Sequence, residues 1–100
     1  MVKHIVLLKL KEHAEGRSKA DNARMVKLEL ESLASKIRDI RSLEVGINVV
    51  SGGDAYDLAL VSEFDDKQGL ETYQNHPEHQ RAAGILRRVR ESRVVVDYET

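Results

Sequence analysis

Apolar positions recur at two spacings along this chain, every second residue in some stretches and every third or fourth in others, and the switches mark the elements. From Lys3 to Lys11, His4, Val6, Leu8 and Leu10 alternate with Ile5, Leu7 and Lys9. This predicts a first strand that is largely apolar on both faces. Glu12 to Arg17 reads as a polar connection containing Gly16. Ser18 with Asp21 has the form of a capping box, an Asp standing where Glu is usual. Beyond it Ala23, Val26, Leu30, Leu33, Ala34 and Ile37 keep helical spacing, so a long amphipathic helix is expected to about Asp39.

A second strand is expected from Leu43 to about Val50, where Leu43, Val45, Ile47 and Val49 alternate with Glu44, Gly46 and Asn48. Ser51-Gly52-Gly53-Asp54 predicts a turn, since glycine reaches positive φ without steric cost. It leads to a third strand, Tyr56 to Phe64, paired with the second as a hairpin. Asp65 with Gln68 opens a second helix that runs through Leu70 and Tyr73. Pro77, the only proline, then disfavours the helical region at His76 but suits the first turn of a new helix. The helix is therefore expected to end near Asn75, restart at Pro77, and continue through Ala82, Ala83, Ile85, Leu86 and Val89. Arg93 to Tyr98, β-branched and short, reads as the last strand.

The order β-α-β-β-α-β predicts an α+β, ferredoxin-like fold with a four-stranded antiparallel sheet. Residues 1–100 are expected to form one domain, with the second helix broken at Pro77. Right-handed crossovers put both helical segments on one face of the sheet. The opposite face is also apolar, and no element remains to cover it. A second copy of the chain, packed sheet against sheet, is the expected cover.

Composition narrows the classes. Apolar residues make up 41% and charged residues 33%, as in ordinary globular proteins. Sixteen basic against seventeen acidic residues leave a formal charge of −1, which gives no electrostatic reason to expect nucleic acid or an anionic membrane. The absence of cysteine excludes disulfides and thiolate chemistry. No apolar run approaches the roughly 20 residues of a membrane-spanning helix, and Met1 leads into a strand and not into a signal-peptide core. A cytoplasmic location is expected.

Five stretches together resemble the stress-responsive A/B barrel domain family, a dimeric α/β-barrel group. They are Val2-Lys3-His4-Ile5-Val6-Leu7-Leu8-Lys9-Leu10, Leu43-Glu44-Val45-Gly46, Tyr56-Asp57-Leu58, Tyr73-Gln74-Asn75-His76-Pro77-Glu78-His79 and Val96-Asp97-Tyr98-Glu99. The resemblance covers nearly the whole chain, and His-Pro-x-His at this place is its most specific part. It implies the ferredoxin-like fold and dimerisation, while activity varies within the family. Some members have no assigned chemistry. One plant member is a polyketide cyclase that closes a poly-β-keto chain by aldol condensation, without metal or organic cofactor. By this resemblance Tyr73 and His79 match the cyclase's catalytic pair and His4 its first-strand histidine. Leu58 and a position near Leu28 stand where the cyclase has a pocket histidine and tyrosine, which implies a more apolar ligand here, or none; any ligand is expected to meet His4, Leu28, Leu58 and His76.

The pair has a rational chemistry. A neutral imidazole can remove a proton next to a carbonyl, and a phenol can donate to the developing enolate oxygen. Each residue also has a plain structural role open to it. Tyr73 can be core, His76 a helix cap, His79 a residue hydrogen-bonded to a backbone group, and His4 a satisfied core histidine. His76 and His79 with Glu78 lack a matched further ligand, so no metal site is expected. Arg81, Arg87, Arg88, Arg90 and Arg93 read as a solvated face. The expected function is therefore a homodimeric small-molecule-binding or structural module, with a cofactor-free cyclase-like enzyme using the Tyr73/His79 pair as the alternative. A cavity beside Tyr73 and His79 would favour the second.

Overall fold

The computed structural model describes residues 1–100. Its strands are β1 (Val2–Leu10), a short hairpin of β2 (His13–Ala14) and β3 (Arg17–Ser18), β4 (Ser42–Ile47), β5 (Leu58–Phe64) and β6 (Arg90–Glu99). Its α-helices are α1 (Lys19–Ser32), α2 (Lys67–Asn75) and α3 (Pro77–Val89). Four strands form one antiparallel sheet in the order β4-β5-β1-β6, the ferredoxin-like arrangement.

The register shows why both faces of β1 are apolar. His4 stands opposite Ser62 and Asp97, and Val6 opposite Leu60 and Val95, on the face that the helices cover. There Val6, Leu8, Leu60 and Phe64 pack with Val26 and Leu30 of α1 and Leu86 and Val89 of α3. Burying each such side chain contributes about 1.5–3 kcal/mol. On the other face Ile5 lies opposite Val61 and Val96, and Leu7 opposite Ala59 and Val94. No element of the chain covers these residues, and Val96 is 54% exposed.

Several element bounds differ from the sequence reading. The helix expected to run to Asp39 is α only to Ser32, then 3-10 from Leu33 to Ser35. Ser32 and Ser35 bond their hydroxyls to backbone carbonyls three residues earlier, the local competition by which serine loosens a helix end. The apolar spacing survives the change, since Leu33 and Ile37 are both buried. β4 stops at Ile47 and not near Val50, and β5 starts at Leu58 and not at Tyr56. Val49 is 91% exposed, so its alternation carries no burial. Asp57 instead ties the loop to β1: its carboxylate accepts from Leu10 N at 2.7 Å and its amide donates to Leu8 O at 2.9 Å. β6 begins three residues earlier than Arg93, at Arg90 directly after α3.

The β2–β3 hairpin sits where a plain connection was expected. Glu15 and Gly16 both have positive φ, the geometry of a tight hairpin turn. Buried Asn22 fastens it to α1, donating to Ala14 O at 3.0 Å and accepting from Arg17 Nε at 2.8 Å. No helix is long and apolar enough to cross a membrane.

Candidate functional site

The break between α2 and α3 builds the site. Asp66 caps α2 by accepting from Gly69 N at 2.8 Å. The helix then brings Tyr73 into the core in its last turn, and ends where His76 turns extended at ψ 137°. Pro77 takes the first position of α3, where its missing N–H breaks no helical bond. His76 caps the new helix, its Nδ1 accepting from Glu78 N at 3.0 Å. One turn on, His79 donates from Nδ1 to Gln74 O at 3.1 Å, back across the break. That bond leaves Nε2 as the basic nitrogen of a neutral imidazole. The rings of Tyr73 and His79 lie 4.5 Å apart between centroids, so the break holds together two residues six apart in sequence.

β1 supplies the third member. His4 is 2% exposed and its Nδ1 donates to Asp97 Oδ1 of β6, with its ring centroid 6.1 Å from that of Tyr73. His4, Tyr73 and His79 all line a cavity of about 240 Å³, with Val6, Leu8, Leu30 and Leu60 among its walls. That volume holds roughly eight waters at liquid density, which suits a compound of about one ring. Arg87, Arg90 and Arg93 line the cavity as well.

The electrostatics separate the pair into donor and base. Burial pushes the Tyr73 phenol up to about 12, against the pull of the Arg93 charge, so it stays protonated and can donate. Its hydroxyl is buried and meets no protein partner. His79 is pushed below the ordinary histidine value, chiefly by burial, with the bond to Gln74 O opposing and the charges of His4, Arg93 and Arg87 adding to the fall. A neutral base thus faces a protonated phenol.

The six residues singled out in the sequence divide evenly. Tyr73, His79 and His4 line the cavity. His76 serves as the cap and lies apart from it. Leu58 is buried opposite Leu8 in the sheet and is not among the lining residues. Leu28 is 71% exposed, and Leu30 is the α1 residue that lines the cavity. The arginine cluster also divides. Arg81 pairs with Glu29 and Arg88 with Glu15, as a solvated face would, but Arg87, Arg90 and Arg93 belong to the cavity. Asp97, given no separate role by the sequence pattern, holds His4; its place in the alternation with Val95 and Arg93 on β6 was the available signal. No group of three or more His, Cys, Asp or Glu residues is placed to hold a metal ion.

Comparison with known proteins agrees with this architecture. Residues 2–100 match the model of the stress responsive A/B barrel domain. An uncharacterized protein of Streptomyces coelicolor is 33% identical over 99 residues, which span 99% of each chain. A dimeric protein of unknown function with a ferredoxin-like fold, from Bacteroides fragilis, superposes with a TM-score of 0.86. It is 42% identical, over 99% of this chain and 95% of its own. A hydroxynitrile lyase from Passiflora edulis has a TM-score of 0.80 over 97% of this chain and 90% of its own; at 18% identity it shares the fold alone.

Proposed function

The chain belongs to the stress responsive A/B barrel domain family, and from that footing we propose that it is a homodimeric enzyme acting on a small carbonyl compound held in the cavity. In this reading Nε2 of His79 takes the proton next to the carbonyl. The electron pair of the broken C–H bond moves onto the carbonyl oxygen, and Tyr73 donates a hydrogen bond to the enolate that forms. The enolate then attacks a second carbonyl of the same molecule or takes a proton back, and His79 returns its proton in either case. No metal or organic cofactor enters these steps.

The observation that carries the proposal is the Tyr73 hydroxyl. It is buried with no protein partner, on a residue that lines the cavity and whose ring lies against that of His79. An unpartnered buried hydroxyl costs about 1–3 kcal/mol, which a purely structural residue would avoid by being phenylalanine. Fold-level likeness to a lyase is consistent with chemistry on this scaffold but says nothing of this substrate. Sheet-to-sheet dimerisation is the second part of the reading, supported by the uncovered apolar face and by the dimeric relative.

The test is a turnover screen of aromatic ketones and short poly-keto compounds, with the Tyr73→Phe/His79→Ala double variant as the blank. Loss of the base is expected to lower the rate about 10²–10⁴-fold. Equal rates for wild type and double variant throughout would make the protein a non-catalytic binding module.

A further inference from the structure

The arginines of the cavity bear on which compounds it takes. We infer that the ligand carries an oxyanion head, held by Arg87, Arg90 and Arg93 at the cavity's open side while its carbonyl reaches Tyr73. The inference deepens the functional reading above and rests on it for the position of the carbonyl. His4 and Tyr73 are buried, whereas Arg87 and Arg93 are exposed and Arg90 is half-buried, so the three guanidinium groups mark the side open to solvent.

Charge balance is the main argument. No residue lining the cavity is acidic, while three are arginine. Of the six arginines elsewhere, four find carboxylates: Arg41 meets Asp65 at 2.7 Å, Arg81 meets Glu29 at 3.0 Å, Arg88 meets Glu15 at 3.0 Å, and Arg24 pairs with Asp21, whereas Arg17 bonds Asn22 and Arg38 has no carboxylate partner. Arg87, Arg90 and Arg93 have none within 4.0 Å. Asp97, on the same face of β6 as Arg93, is engaged by His4. What sets these three apart from Arg17 and Arg38 is that they gather on one cavity whose lining holds no carboxylate, in a chain of net charge −1 that has carboxylates enough to pair them.

Tyr73, whose buried hydroxyl has no protein partner, lines the same cavity as the three arginines. Guanidinium groups bind carboxylate or phosphate by two parallel N–H···O bonds, which fixes orientation as well as position. An anion held at the open side would set the depth of the carbonyl between Tyr73 and His79. Such remote anchoring is how binding energy orients a reacting group.

Calorimetric titration of the full chain with benzoate, phenyl phosphate and benzamide separates the possibilities. The two anions are expected to bind at least about tenfold more tightly than the neutral amide, and to weaken as salt is raised. The stronger of the two names the head as carboxylate or phosphoryl. Arg87→Gln, Arg90→Gln and Arg93→Gln are each expected to weaken the anions several-fold with benzamide unaffected, and Arg88→Gln, paired outside the cavity, is expected to leave all three unchanged. Benzamide binding as well as benzoate, or anion binding unaltered in all three cavity variants, overturns the oxyanion head and leaves the cavity reading standing. Failure of every probe to bind overturns both.

Discussion

The Tyr73 ring packs against Phe64 at 5.0 Å between centroids, while its hydroxyl meets no protein group. In the proposed mechanism, stability and function therefore make opposite demands on one side chain. Tyr73→Phe keeps the ring and removes the unpartnered oxygen, so it is expected to raise stability by about 1 kcal/mol. For a chain of this size that lifts the melting temperature by about 4–8 °C, readable by calorimetry. The same variant is expected to lose turnover, and a lower melting temperature would show that the hydroxyl is satisfied in solution. His79 gives a second test. Its folded-state pKa lies below the unfolded value near 6.5, through burial and the positive charges of His4, Arg93 and Arg87. Between those two values the unfolded chain binds more protons, so stability falls as pH falls through that window. NMR titration is expected to place the His79 midpoint below 6.5, and activity is expected to hold into mildly acid solution and fall only below that midpoint. A midpoint above 6.5 would contradict the burial argument.

At the scale of elements, the α2–α3 break is where local rules and tertiary structure agree. His76→Ala removes the cap on α3 and is expected to cost about 1 kcal/mol, with the rings of Tyr73 and His79 kept in place by the core. Pro77→Ala is expected to change stability little, since no helical bond is missing at that position. Thermal melts of both variants check the pair; a Pro77→Ala loss larger than that of His76→Ala would assign the bend to proline and not to the cap. This break was legible in the sequence because proline acts on its neighbours through sterics alone. The strand order was legible for a similar reason, since alternation and helical spacing differ plainly in β1 and α1. Other features had no such local signal. Two-residue strands carry no period, and Glu15-Gly16 is an unusual turn pair, so the β2–β3 hairpin was hidden. Leu28 and Leu30 sit two positions apart, about 200° around a helix, and a matched motif does not fix that phase. The arginines of the cavity come from the end of α3 and the start of β6, and only the bend between those elements brings them to one place.

At the scale of the whole molecule, the proposed dimer rests on the uncovered sheet face. Ile5, Leu7, Val61, Val94 and Val96 share it, and the helices that could shield them are all on the opposite side. Val61 stands opposite Ile5 on β1 and Glu44 on β4, in the interior of that face. Val61→Lys places a charge there without touching the core beneath the helices. In a sheet-to-sheet dimer the ammonium groups of both copies would enter a dry interface with no partner, at a cost that several apolar contacts could not offset. The variant is therefore expected to be a folded monomer by light scattering at micromolar concentration, where the wild type is expected to be a dimer. Mass action supplies an independent check. Because association stabilises only the folded state, the wild-type melting temperature is expected to rise with protein concentration, and that of Val61→Lys to stay constant. A wild type that scatters as a monomer and melts at a concentration-independent temperature would mean that this apolar face stays open to water, and the dimer would have to be abandoned.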